Sequence, residues 1–302
     1  MKHKPATDTA KLDTEQRNPA SRALDTLSAL QIATIVNAED AKAVRAVKKA
    51  LPQIARAIDA IAEALSHGGR LIYVGTGTSG RIGALDAVEC PPTFNIAPDL
   101  IQFVIAGGDA ALGAPIEADE DSRAAGRADL ARRRPSRRDV VVGIAASGRT
   151  PYTVAALEYA RSKGSKTIAI AGNRHSPLER ASDIGIVVDT GPEVLTGSTR
   201  MKAGTAQKMV LNMLSTGAMT RMGFVYENLM VNVHLKNSKL AERGIRIVMQ
   251  ATGLDREATV KVLRKGGGSV PIAIVMSKTG VTRAEAEQRL RRSHGRIRAA
   301  LK

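Results

Sequence analysis

The sequence has no tryptophan, and only four tyrosines and three phenylalanines among 302 residues. Its core must therefore be aliphatic, built from Ala, Val, Ile and Leu. It has one cysteine, Cys90, so no disulfide can form within the chain, and a reducing, cytoplasmic compartment is expected. No apolar run approaches the ~20 residues of a membrane-spanning helix. Met1 to Lys11 is polar and lacks the apolar stretch of a secretory leader. Metal-ligand spacing is missing too. His3, His67, His175, His234 and His294 form no H-x-x-x-H pair, and one cysteine leaves no zinc site of usual spacing. Neither a G-x-S-x-G nucleophile elbow nor a G-x-x-x-x-G-K-[ST] phosphate loop occurs.

Acidic residues are also scarce. Lys and Arg number 45 against 29 Asp and Glu, a formal net charge of +16. The excess is concentrated. Residues 251–302 hold 12 basic and 4 acidic side chains, and a second basic run comprises Arg132, Arg133, Arg134, Arg137 and Arg138. Neither run is interleaved with aromatics that could stack on bases, and no zinc-finger spacing accompanies them. Solvated surface is the first reading of this charge and a polyanion partner the second. A specific nucleic-acid reader is not expected.

What is present is a regular alternation. Residues 1–18 read as a loose polar arm. Apolar residues then recur at helical spacing, as in Leu24, Leu27 and Leu30, and in Ile54, Ile58, Ile61 and Leu65, which predicts two or three helices before residue 68. Five short apolar runs follow as strand candidates: Arg70–Val74, Leu100–Ile105, Asp139–Ile144, Lys166–Ile170 and Ile184–Val188. Helical stretches lie between most of them, including Ala118–Arg132 and Pro151–Ser162, and a long helix is expected over Met201–Arg221. Strands apolar on both faces and alternating with helices predict an α/β fold with a doubly wound parallel sheet. That domain, with its N-terminal helices, is expected to span residues 19–228. Residues 229–302 read as a small all-helical region, with helices near 229–250, 255–264, 270–279, 282–292 and 295–301, punctuated by glycines.

Ligands of such a sheet sit beyond the carboxyl ends of its strands, near the topological switch point. After the first strand comes Gly75-Thr76-Gly77-Thr78-Ser79-Gly80, and after the third Ser147-Gly148-Arg149-Thr150. Both place glycines and small hydroxyl residues where a helix begins. Free backbone N–H groups and the helix dipole there favour a phosphate. Ordinary Ser/Thr helix capping explains both loops together in one sheet less well than it explains either one alone. The first loop also fits G-x-G-x-x-G. A dinucleotide site needs an acid at the end of the second strand, and here that strand ends in Ala106-Gly107-Gly108.

Two acidic segments stand near these loops. Glu89 lies in Leu85-Asp86-Ala87-Val88-Glu89-Cys90-Pro91-Pro92, close to the end of a helix that the paired prolines are expected to stop. That is the unfavourable end of the helix dipole for an acid. Glu117-Ala118-Asp119-Glu120-Asp121 is expected to open the next helix, where acids commonly compensate the dipole.

Four segments carry a resemblance: Thr14-Glu15-Gln16-Arg17-Asn18-Pro19; the first loop through Pro92; Ile144 through Tyr152; and Thr196-Gly197-Ser198-Thr199-Arg200-Met201-Lys202-Ala203-Gly204-Thr205-Ala206-Gln207-Lys208. Together, from about Leu12 to Leu301, they resemble the N-acetylmuramic acid 6-phosphate etherases of the sugar isomerase (SIS) superfamily. Thr76 and Val88 depart from that pattern, where Ala and Ser are expected. The resemblance implies a parallel α/β sandwich, a homodimer, a ubiquitin-associated-like helical C-terminus, and no cofactor, metal or nucleotide. It implies Glu89 as the acid that protonates the departing lactyl oxygen and Glu120 as the second catalytic carboxylate, the base. It implies Thr78, Ser79, Ser147 and Thr150 as phosphate ligands, and Ser198, Thr199 and Lys202 along the sugar. The implied substrate is a sugar phosphate whose lactyl ether is β to the C1 aldehyde of the open chain. Removal of the C2 proton and protonation of the leaving oxygen then require two carboxyl groups in different protonation states. Two other readings share the fold: a sugar-phosphate aldose–ketose isomerase, and a non-catalytic sugar-phosphate sensor.

Overall fold

A computed structural model describes residues 12–116, 119–233 and 238–302. Glu117 and Ala118, the expected start of one helix, lie outside the described residues, as do 1–11 of the expected arm and 234–237 of an expected helix. The chain divides into two units, one of residues 1–87 and 99–214, the other of 88–98 and 215–302.

The first unit is built on five parallel strands in the order β2-β1-β3-β4-β5: β1 Leu71–Gly75, β2 Ile101–Ile105, β3 Val140–Ala145, β4 Lys166–Ala171 and β5 Ile184–Val187. β1 and β3 are buried along their whole length, the mark of a sheet covered on both faces. The connections are α1 (Ala29–Lys49) and α2 (Leu51–Ser66) before β1, then α3 (Gly77–Phe94), α4 (Ala110–Gly113), α5 (Arg123–Arg132), α6 (Pro151–Ser162) and α7 (Pro177–Arg180), with α8 (Lys202–Met222) after β5. A capping box of Ser28 and Gln31 starts α1. On α2, Ile54, Ala57, Ile61 and Leu65 are buried at the spacing that forms one helical face. Leu130 of α5 joins Tyr152, Ala156 and Leu157 of α6 and the strands in one aliphatic core. At the amino end of β1, Arg70 is fixed on buried Asp139, whose carboxylate also accepts the N–H and hydroxyl of Ser136.

The second unit contains a two-stranded antiparallel sheet, β6 (Val225–Tyr226) and β7 (Leu229–Met230), and helices α9 (Ser238–Thr252), α10 (Arg256–Lys265), α11 (Val270–Thr279), α12 (Arg283–Arg292) and α13 (Ile297–Ala300). Asp255 caps α10, Ser269 caps α11, and a capping box of Thr282 and Glu285 starts α12. Val248, Ala273, Ile274, Val275 and Ala286 form its core. Much of the basic charge is engaged at its surface. Arg256 pairs with Glu242, Lys261 with Glu257 and Arg283 with Glu287, and Lys278 and Arg298 lie over the Tyr226 ring.

Four sequence expectations change. Residues 12–18 are not a loose arm: they form a 3₁₀ turn, Asp13–Glu15, with Thr14 and Asn18 buried. Helix α3 does not stop at Pro91 and Pro92 but runs through them to Phe94. Proline's φ suits a helix and its cost is the missing donor; buried Cys90 and Phe94, four residues apart, hold this last turn in place. Asp119 and Glu120 do not open a helix. They lie in a turn, and Ser122 caps α5 at Arg123 instead. Residues 225–230, which straddle the expected boundary between the α/β domain and the helical region, form the β6–β7 pair.

Candidate active site

β1 has β2 on one side and β3 on the other, so the order in which strands are added reverses between β1 and β3. The crevice beyond their carboxyl ends is the switch point. Both hydroxyl loops open there, one leading into α3 and the other into α6.

In the β3 loop, Gly148 has φ +68°, and a Cβ on it would stand 2.4 Å from Ser176 Oγ. Only glycine fits both the backbone conformation and the space. The Ser147 hydroxyl accepts from the Arg149 N–H at 3.1 Å, and Asn173 Nδ2 donates to the Ser147 carbonyl at 3.2 Å. Thr150 is the N-cap residue of α6, but its hydroxyl makes no capping bond. The Arg149 Nε–H is buried with no partner among the described residues. This loop thus presents a helix start, a free Thr hydroxyl and a guanidinium N–H in need of an acceptor, a combination suited to an anion.

In the β1 loop, Ser79 is buried and its hydroxyl donates to Gln207 Oε1 at 3.0 Å. A half-turn of the Gln207 amide reverses that bond and releases the serine proton for an anion. Thr78 and the Thr199 carbonyl converge on Gly204 of α8, each 3.5–3.6 Å from where its Cβ would be. Thr78 of the first loop and Thr199 of the segment before α8 are therefore neighbours. Ser198 is partly buried in the same segment.

Glu120 joins the two loops. Its carbonyl accepts from the Tyr152 N–H in the first turn of α6 at 3.1 Å. Its carboxylate lies against the start of α3: a Cβ on Gly77 would be 3.2 Å from Glu120 Oε1. Glu89 is exposed on α3, twelve residues after Gly77.

Lys202 departs from expectation. Its side chain is 1% exposed and its ammonium is 2.5 Å from Glu39 Oε2, with Lys42 on the other carboxylate oxygen. It faces an internal ion pair and not the crevice. Burial raises the pKa of Glu39, but its bonds with Lys202, Lys42 and Asn18 outweigh this and hold it at about 2. Buried Glu193 accepts the backbone N–H groups of Lys202 and Ala203, which occupies the start of α8 with a carboxylate. Burial pushes the Glu193 carboxyl up, against those N–H bonds. Glu39, Glu193, Gln207 and Arg149 were not singled out by sequence reasoning. Arg149 and Gln207 lie within the segments that carry the resemblance, but nothing in the sequence marked their side chains, and Glu39 and Glu193 lie outside those segments.

A groove of about 720 Å³ opens beside β2 and α5. Asp109, Asp119 and Asp129 line it together with Arg132 and Arg133.

Residues 53–161 match the glucokinase regulatory protein N-terminal SIS domain, and residues 131–217 match the SIS domain. Among curated proteins, an N-acetylmuramic acid 6-phosphate etherase of Symbiobacterium thermophilum is 58% identical over 88% of this chain and 88% of its own length. Another, from Edwardsiella ictaluri, is 54% identical over 95% of this chain and 96% of its own. The chain belongs to the N-acetylmuramic acid 6-phosphate etherase family. A third member, from Actinobacillus pleuropneumoniae, is 50% identical over 97% of this chain.

Proposed function

We propose that the chain cleaves the D-lactyl ether of N-acetylmuramic acid 6-phosphate, giving N-acetylglucosamine 6-phosphate and D-lactate, in the recycling of cell-wall amino sugars. The observation that carries this reading is Glu120, a carboxylate held between two hydroxyl-rich loops at the switch point. Ser147, Thr150, Ser79 and Thr78 bind the 6-phosphate, and Ser198 and Thr199 line the sugar. Glu120 takes the C2 proton of the open-chain aldehyde. The electron pair left on C2 forms the C2–C3 double bond, the C3–O bond breaks, and Glu89 protonates the departing lactate oxygen. Water then adds at C3 and C2 regains a proton.

We assign this Glu89 to the partner copy of a homodimer. Leu85 and Val88, beside Glu89 on α3, are about half exposed, apolar surface of the kind a second copy covers. The ligand is a small sugar phosphate in the cytoplasm, with no specific nucleic-acid partner.

Purified protein incubated with the substrate should release one D-lactate per N-acetylglucosamine 6-phosphate. Isomerisation without lactate would favour the isomerase, and binding without turnover the sensor. The double variant Ser147→Ala/Thr150→Ala removes two hydrogen bonds to a charged group, each contributing ~1.5–3 kcal/mol. Its affinity for the phosphorylated sugar should fall by roughly 10²-fold or more, while that for unphosphorylated N-acetylmuramic acid stays within about 2-fold. Equal affinity of the wild type for the two sugars would remove the phosphate assignment.

A further inference from the structure

Thr14 is 4% exposed, and its hydroxyl has no hydrogen-bond partner among the described residues. A buried hydroxyl left unbonded destabilises a fold, so such groups call for an explanation. The position of Thr14 supplies one. Its methyl lies 3.7 Å from where a Cβ on Gly172 would be. Gly172 follows β4 directly, and its N–H donates to the carbonyl of Ala146, the residue before Ser147, at 2.8 Å. The next residue, Asn173, holds the Ser147 carbonyl. Glu15, on the same 3₁₀ turn, reaches the loop before α8, with Oε2 3.5 Å from the Cβ position of Gly197. Asn18 secures the segment by donating to the Pro192 carbonyl at 3.0 Å. The turn Asp13–Glu15 therefore lies across the carboxyl ends of β3 and β4, between the Ser147 loop and the Ser198–Thr199 loop.

We infer that Thr14 is a further substrate-binding residue, whose hydroxyl donates to the phosphate of the bound sugar beside the Ser147 loop. The inference rests on the reading that this loop holds the phosphate. Among the described residues the hydroxyl has no acceptor; the bound phosphate supplies one. Methyl-for-hydroxyl replacement separates this role from a structural one. Valine keeps the shape and removes a group with no acceptor among the described residues, so the stability of the free protein should hold or rise.

The test uses the full chain, with binding of N-acetylglucosamine 6-phosphate and of N-acetylglucosamine followed by calorimetry. Thr14→Val should bind the phosphorylated sugar at least about 10-fold more weakly, with a thermal midpoint equal to or above that of the wild type. Thr14→Ser should restore affinity to within about 3-fold. In turnover, KM should rise with kcat kept within about 2-fold, the signature of lost uniform binding. Unchanged affinity in Thr14→Val overturns the inference. So does a midpoint lowered by several degrees in that variant, which assigns the hydroxyl to the fold. If the wild type does not prefer the phosphorylated sugar, the phosphate-loop reading fails first and this inference falls with it.

Discussion

Glu120→Gln should lose both lactate release and exchange of the substrate's C2 hydrogen with deuterated solvent. Glu89→Gln should lose lactate release but keep the exchange. The asymmetry follows from their roles. With the base gone no carbanion forms. With the acid gone the base still removes the C2 proton, and the carbanion returns to substrate carrying solvent hydrogen. General acids and bases each contribute ~10²–10⁴-fold, so a decrease of that size in lactate release is expected for both, measured against the wild type. Exchange kept by Glu120→Gln and lost by Glu89→Gln would reverse the roles. A decrease of only a few-fold in both would remove the two carboxylates from the chemistry. On the proposal that Glu89 acts in the partner's site, mixing inactive Glu89→Gln with inactive Glu120→Gln protein should restore activity in the heterodimer, which retains one site with both wild-type groups.

The second large effect is on stability. Lys202→Met removes the cation from a buried pair and leaves Glu39 with Lys42, half exposed, and Asn18. Breaking a buried ion pair costs ~3–5 kcal/mol, and the remaining partners place the expected loss near ~3 kcal/mol in urea unfolding. Combining Lys202→Met with Glu39→Leu should cost less than Lys202→Met alone, because no uncompensated charge is then buried. A loss below ~1 kcal/mol for the single variant would show that Lys202 does not carry this internal pair. The pH dependence has a definite sign. With its folded pKa lowered from 4.5 to about 2, Glu39 contributes stability that is fully present above 4.5 and is lost as pH falls toward 2. Lys202→Met should show a smaller part of that acid-range loss.

The five strands were legible because a parallel sheet buried on both faces leaves continuous apolar runs such as Leu71–Val74 and Val140–Ile144. The hydroxyl loops were legible because a helix start after such a strand is a fixed place for ligands in this topology. Lys202 was not. A lysine in a hydroxyl-rich segment reads as ligand-facing, and its partner Glu39 is 163 positions away, on α1. Thr14 was hidden for the opposite reason: a polar segment near a terminus reads as solvated, and only its place over Gly172 reveals burial. Local rules also lost to tertiary packing at Pro91 and Pro92, where two buried side chains carry α3 past the usual stop. Between Val225 and Met230 the two-residue strands were too short to show a period.

The most direct measurement of the central claim, cleavage by elimination and hydration, is wild-type turnover of N-acetylmuramic acid 6-phosphate in water enriched in oxygen-18 and deuterium. Mass spectrometry and NMR of the products then locate the labels. The account predicts heavy oxygen at C3 of the N-acetylglucosamine 6-phosphate, deuterium at its C2, and D-lactate that keeps the original ether oxygen. Heavy oxygen in the lactate hydroxyl, with an unlabelled sugar, would show displacement at the lactyl carbon and contradict the account.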